Sequence, residues 1–190
     1  SRSLKENVAF GLRAGGETAI AAAVSAARLA TDLPSLPDGL DTIVGERGFT
    51  LSGGQRQRAT LARALAVDPN ILVLDDALSS VDADTERTIL DALSKERRGR
   101  TLILITHRLS TLRKAHRLVV LDRGQVVEVG PHDELMASEG AYYRLYQAQQ
   151  RRAEADLLEE GEGGGNDRAD DAADVAALAV PAIAAGEKQV

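Results

Sequence analysis

"LSGGQRQRATLARAL", residues 51–65, followed at 71–76 by "ILVLDD", is the stretch on which the reading of this chain turns. Ser52 stands where an N-cap belongs, and the run behind it has helical spacing through about Ala66, closed by "DPN" at 68–70. A helix start exposes unpaired N–H groups and a partial positive charge, which suits a phosphate. Gly53 and Gly54 put no Cβ in the way of an approaching ligand, while the Ser52 hydroxyl and the Gln55 amide add side-chain donors. Taken alone, Ser-Gly-Gly is equally the start of any serine-capped helix. The strand that follows shifts the balance.

"ILVLD" (71–75) is a continuous apolar run of strand length, the kind buried on both faces of a parallel sheet. Its carboxylates fall at the C-terminal edge of that sheet, where α/β proteins bind ligands. Asp75 is placed to hold Mg²⁺, and Asp76 stands where a base for an attacking water would sit. "TLILIT" (101–106) reads as a second buried strand, and His107 follows it directly, within reach of a phosphate or a water. Asp-Asp pairs also cap turns, and a lone histidine after a strand is commonly a surface residue. It is the ordered combination that carries information.

Strand and helix signals alternate over the rest. Residues 17–31 are alanine-rich and helical in pattern, and "LPSLPDG" (33–39) ends them as a loop. Asp82 with "ADTE" begins a helix on which Ile89, Leu90 and Leu93 share a face. "RLVVLDRGQVVEVG" (117–130) predicts a hairpin at the sheet edge, joined by an Asp-Arg-Gly turn. "PHDELMAS" opens a short helix at Pro131, and a last helix through about Arg152 carries Tyr142, Tyr143, Leu145 and Tyr146. The predicted class is α/β, a mostly parallel sheet with flanking helices.

Composition sets outer limits. With no cysteine, the chain forms no disulfide and no Cys-based metal site. No apolar run approaches the roughly 20 residues that cross a bilayer. The net charge of −6 is uneven, because ten acidic and two basic residues lie from Glu154 onward, leaving the rest slightly basic. No strongly basic face is indicated, so a nucleic-acid partner is not expected. The acidic, glycine-rich stretch "EEGEGGGNDRADDAAD" and the Pro-interrupted "VAALAVPAIAA" predict a disordered tail. The start, "SRSLKENVAF", has neither initiator Met nor signal-peptide layout and reads as an internal cut.

Together these motifs resemble the ATP-binding cassette of ABC transporters. "LSGGQRQRATLARAL" is similar to the family's signature sequence, "ILVLDD" to its Walker B strand, "SSVD" (79–82) to its D-loop, and His107 in "ITHRLS" to its switch histidine. "TIVGERG" (42–48) resembles the exporter-type segment that touches the transmembrane coupling helices, and "VVLDRGQVVEVGPHDELMASEGAYYRLYQAQ" resembles the end of such a cassette. The resemblance covers roughly residues 1–150 and implies a partial P-loop NTPase-like domain. Its helical signature subdomain would span 1–68, its catalytic-core portion 69–152 and a disordered tail 153–190.

The resemblance implies roles. Ser52, Gly53, Gly54 and Gln55 would grip the γ-phosphate of ATP held by a second cassette, hetero- or homodimeric. Asp75 would hold Mg²⁺, Asp76 would be the base, His107 the γ-phosphate sensor, and Asp82 would communicate across the dimer. Glu46 and Arg47 would pass motion to the transmembrane domain of an exporter in the cell (inner) membrane, with this domain on its cytoplasmic face. Two departures qualify the match. The pattern G-x-x-x-x-G-K-[ST] occurs nowhere in these 190 residues, so weak ATP binding by the chain alone is expected. The family usually has Glu where this chain has Asp76, a carboxylate shorter by one C–C bond, about 1.5 Å. That predicts an impaired site on this chain's own Walker B, with an intact signature serving a heterodimeric partner. The alternatives are a homodimer with two slow sites, a truncated non-catalytic module, and a soluble non-transport ABC ATPase.

Overall fold

The computed structural model describes residues 2–12, 16–45, 51–95, 100–106, 108–160 and 175–180. The chain divides into two compact units, Ser1–Leu72 with Asp76–Arg100, and Val73–Asp75 with Thr101–Val190. This departs from the expected boundary near residue 68, because residues 76–100 return to the first unit, where the helix they carry touches an earlier one.

In the first unit, β1 (Arg2–Ser3) pairs antiparallel with β2 (Ile43–Val44), and α1 (Leu4–Val8) grows straight out of β1. Ser3 Oγ accepts the Glu6 N–H while Glu6 accepts the Ser3 N–H, so two of the donors orphaned at a helix start are satisfied reciprocally. α2 (Glu17–Ala26) packs on α3 (Gly53–Ala66), and α1 packs on α3 as well. α2 is shorter than the 17–31 pattern suggested, because Arg28 turns left-handed at φ 58° and the chain tightens into a 3₁₀ turn at Leu29–Thr31. α3 matches its expected span and buries Leu61, Ala62, Leu65 and Ala66 on one stripe. α4 (Ala83–Lys95) starts where Asp82 Oδ1 accepts the Thr85 N–H at 2.8 Å, and Ile89, Leu90 and Leu93 are buried along it.

The second unit carries a five-stranded sheet, apart from Ile71 and Leu72 at the start of its first strand. Its order is β3 (Ile71–Asp75), β4 (Thr101–Thr106), β7 (Val175–Val180), β5 (Arg117–Asp122), β6 (Gln125–Gly130). β7 is antiparallel to both β4 and β5, so β4 and β5 run the same way, as strands joined by a helical crossover do. β5 and β6 form the expected edge hairpin, with Arg123 at φ 49° and Gly124 at φ 76°. Two successive positive φ values make a primed turn, whose twist matches that of the flanking strands. α5 (Leu109–Lys114), α6 (His132–Ala137) and α7 (Ala141–Glu160) supply the core with the sheet. Leu112, Leu118, Val120, Leu135, Tyr142 and Tyr146 cluster there. Burial pushes the Tyr142 phenol up to about 12, and its hydroxyl lies 2.8 Å from His132 Nδ1.

Two expectations are corrected. Residues 153–190 are not wholly a disordered tail: α7 continues past Arg152 to Glu160, and Val175–Val180 is a strand inside the sheet. Strands β4 and β5 have hydrogen-bonding edges facing each other across one strand width, and the short apolar piece satisfies both. Nor is β3 buried on both faces. Leu72 and Leu74 are buried while Ile71 and Val73 are 63% and 54% exposed, because among the described residues nothing covers the second face.

Candidate functional site

The mouth of α3 is built by a reciprocal cap. Ser52 Oγ accepts the Gln55 N–H at 3.2 Å, and Gln55 Oε1 accepts the Ser52 N–H at 2.9 Å. With the Arg56 N–H donated to the Ser52 carbonyl at 2.9 Å, the N–H groups of Gly53 and Gly54 are left without an intrahelical acceptor. These two donors, aligned with the positive end of a helix of 14 residues, form an anion-facing end. Among the described residues the Ser52 hydroxyl oxygen is engaged as an acceptor in the cap, and its hydrogen is left for a further acceptor.

The glycines meet a second constraint that sequence reasoning did not foresee. A Cβ at Gly54 would lie 3.0 Å from the Ser80 carbonyl oxygen, and one at Gly53 would lie 3.4 Å from the Ser80 side chain. The turn before α4 therefore presses on the helix mouth, and glycine permits that approach as well as any ligand's. Gln57 fastens the two: its Nε2 donates to Ser79 Oγ at 2.9 Å, and its Oε1 accepts the Ser80 N–H at 2.8 Å. So the structure brings Ser52, Gly53, Gly54 and Gln55 together with the 79–82 turn that ends at Asp82. The Thr85 N–H donated to Asp82 holds its carboxyl below the ordinary carboxylate range.

One turn along α3, Arg58 forms a two-pronged pair with Asp32, Nε to Oδ2 at 2.8 Å and Nη2 to Oδ1 at 2.7 Å, both side chains largely buried. Gln57 and Arg58 escaped the reading from sequence, yet a signal existed. They precede Leu61 and Ala62 by one helical turn, so they extend the apolar stripe with polar groups. Polar side chains on a core-facing stripe need partners. Their partners, 22 to 26 residues distant, could not be named from spacing alone.

Asp75 ends β3 and is exposed, and Asp76 follows it with a left-handed φ of 45°, a conformation aspartate tolerates better than most. The two acids fall on different compact units. The Asp76 carbonyl accepts from Ser79 twice, from N–H at 3.2 Å and Oγ at 3.0 Å. Among the described residues no group of three or more His, Cys, Asp or Glu side chains gathers to cage a metal. A lone exposed carboxylate fits Mg²⁺, which keeps its waters and takes one or two carboxylates with phosphate oxygens. Glu46, Arg47 and His107 lie outside the described residues. No helix among the described residues is long and apolar enough to cross a membrane.

Three comparisons show what the chain is similar to. The family model "ABC transporter" matches residues 3–79. An ATP-dependent lipid A-core flippase of Alkalilimnicola ehrlichii is 49% identical over 148 residues, 77% of this chain and 25% of the flippase. The mitochondrial potassium channel ATP-binding subunit of Pongo abelii is 46% identical over 147 residues, 77% of this chain and 20% of the subunit. A bacterial Atm1-family ABC exporter solved with ATP bound superposes with a TM-score of 0.74 at 39% identity, covering 78% of this chain and 26% of the exporter. The chain thus spans about a quarter of the length of these relatives.

Proposed function

Because this chain belongs to the ABC transporter family of ATP-binding cassettes, we propose that its α3 mouth grips the terminal phosphate of an ATP held by a second cassette, within a membrane exporter that hydrolyses ATP to drive transport. The observation that carries this reading is the capped helix mouth, in which the N–H groups of Gly53 and Gly54 and the Ser52 hydroxyl lie together at the positive end of α3. The G-x-x-x-x-G-K-[ST] pattern does not occur in these 190 residues, and in this reading the phosphate gripped belongs to nucleotide seated on the second cassette.

In that arrangement catalysis is positioning and electrostatics, without a covalent intermediate. The glycine N–H groups and Ser52 stabilise charge that builds on the γ-phosphate oxygens as the bond to the leaving diphosphate breaks. Asp75 would hold Mg²⁺, which neutralises phosphate charge when bound. Asp76 polarises the attacking water at the other site, His107 senses the γ-phosphate there, and Asp82 answers across the dimer. Glu46 and Arg47 transmit closure to the transmembrane domain. Val44, in the described part of their segment, lines a groove of about 250 Å³ with Leu4, Leu51, Arg56 and Arg63, and we assign that groove to the membrane partner.

The shortened base makes the site on this chain's own Walker B slow and the pair heterodimeric. Displacing a catalytic group by about 1 Å costs on the order of 100-fold in rate. Mixing the chain with a P-loop-bearing cassette tests the reading. Ser52→Cys should crosslink to a cysteine in the partner's P-loop only with Mg-ATP present, and a crosslink indifferent to nucleotide, or none, defeats it. In the exporter, Asp76→Glu should raise hydrolysis by up to about 100-fold; brisk hydrolysis by the native protein, unchanged by the substitution, removes the impaired-site proposal.

A further inference from the structure

The two regions that the proposed function assigns to two different nucleotides are joined in this chain by one side chain. We propose that Gln57 is a positioning residue that makes the α3 mouth and the 76–82 turn a single moving part, so that seating phosphate at the mouth is felt at Asp76 and Asp82. The inference rests on the phosphate reading of the mouth given above. Gln57 touches no substrate atom in that reading, because its carboxamide is spent on the turn.

The bonds form a directed chain. Ser79 Oγ donates to the Asp76 carbonyl at 3.0 Å, so it must accept from Gln57, and that fixes Nε2 as the atom facing it at 2.9 Å. The carboxamide oxygen is thereby turned to the Ser80 N–H, which it accepts at 2.8 Å. Both ends of one planar group hold successive residues of the turn, a grip that resists sliding and rotation together. Steric contact closes the remaining freedom: the Ser80 carbonyl lies 3.0 Å from where a Gly54 Cβ would be. Asp76 sits at the start of the turn with φ 45°, and Asp82 caps α4 at its end. A shift of the mouth therefore displaces the turn at Ser79 and Ser80, and with it the backbone of the two acids on either side. Because the residues form one compact unit, the link needs no contact beyond it.

Amide hydrogen exchange on the 190-residue chain, with and without the P-loop-bearing cassette and Mg-ATP, tests this. In the free chain Gln57→Ala should speed exchange at Ser80 by about tenfold or more while Gln55, capped by Ser52, is unchanged. Gln57→Glu keeps an oxygen for the Ser80 N–H and should retain most of the protection. Ser79→Ala, a milder change that leaves the Ser80 bond intact, covers the case in which Gln57→Ala folds poorly. Relative to the native chain it should speed exchange at Ser80, and unchanged exchange there would overturn the clamp. On pairing with ATP, the native chain should gain protection at Gln55 and Ser80 together, whereas Gln57→Ala should gain it at Gln55 alone. A merely structural glutamine would lower stability without uncoupling the two. Unchanged Ser80 exchange in free Gln57→Ala overturns the clamp, and joint protection in paired Gln57→Ala overturns the coupling. If the native chain never pairs while free Gln57→Ala still loosens Ser80, the phosphate reading and the coupling fall and the clamp stands.

Discussion

The two units of this chain are organised by opposite kinds of information. In the first, most of what shapes the helix mouth lies within the one helix that Ser52 starts: the reciprocal cap with Gln55, the two glycines, and the apolar stripe from Leu61 to Ala66. In the second, the central strand β7 comes from residues 175–180 and separates β4 from β5, which lie 69 and 53 residues earlier at their ends. Local chemistry builds a site that survives reading out of context. Long-range pairing builds a sheet whose order no local rule announces, since closing such loops costs entropy that only the assembled sheet returns.

Removing β7 is the strongest way to break this contrast. Leu118 and Leu104 both pair with Ala179, and Val119 and Ile105 both pair with Leu178, so deletion of residues 161–190 strips partners from two strands at once. Amide exchange along β5 should rise by at least about 100-fold, and the bared edges should promote self-association. Exchange left unchanged would mean that the Leu118, Val120 and Tyr142 core holds β5 without its neighbour. The first unit should keep its exchange pattern.

Arg58→Ala carries the complementary test. It leaves the Asp32 carboxylate, largely buried, without its two-pronged partner, and stranding a buried charge costs about 3–5 kcal/mol. Urea unfolding of the first unit should show that loss, and a much smaller loss would mean that water replaces the guanidinium. Exchange in β5 and β6 should not move.

The smallest effect expected is a change with pH at Asp82. Its carboxyl is held below the ordinary range by the Thr85 N–H, so the folded state binds its proton less readily than the unfolded chain. The α4 start is therefore fully stabilised above the ordinary aspartate range, near pH 4, and loses that stability as pH falls through the lowered folded value. Asp82→Asn should cap the helix without this acid dependence, as read from the Thr85 amide shift across pH 2–6. An identical acid profile in the variant would place the dependence elsewhere.

How much was legible follows the same division. The α3 span, the α4 face and the Asp-Arg-Gly hairpin turn could be read because each is set by neighbours in sequence. The ordered motifs identified the family. The double-sided burial of "ILVLD" was misjudged, because an apolar run reports what a strand could bury and not what is present to cover it. Gln57 was overlooked because its partners are Ser79 and Ser80, brought near only by the return of the chain.

A last pair of residues separates the two sources of information most clearly. The sequence alone determined where helices begin when the cap lies three residues away, as at Ser52 and Asp82, because a side chain reaches its own first turn in any tertiary setting. It did not determine the cap of α7. There the Glu128 carboxylate, brought from β6, accepts the N–H groups of Ala141 and Tyr142 at 2.7 and 2.9 Å. Gly140 is required beside it, since a Cβ there would collide with the Glu128 carboxylate. That glycine and that glutamate have meaning only together, because the donors are local to the helix while the acceptor is delivered by the sheet.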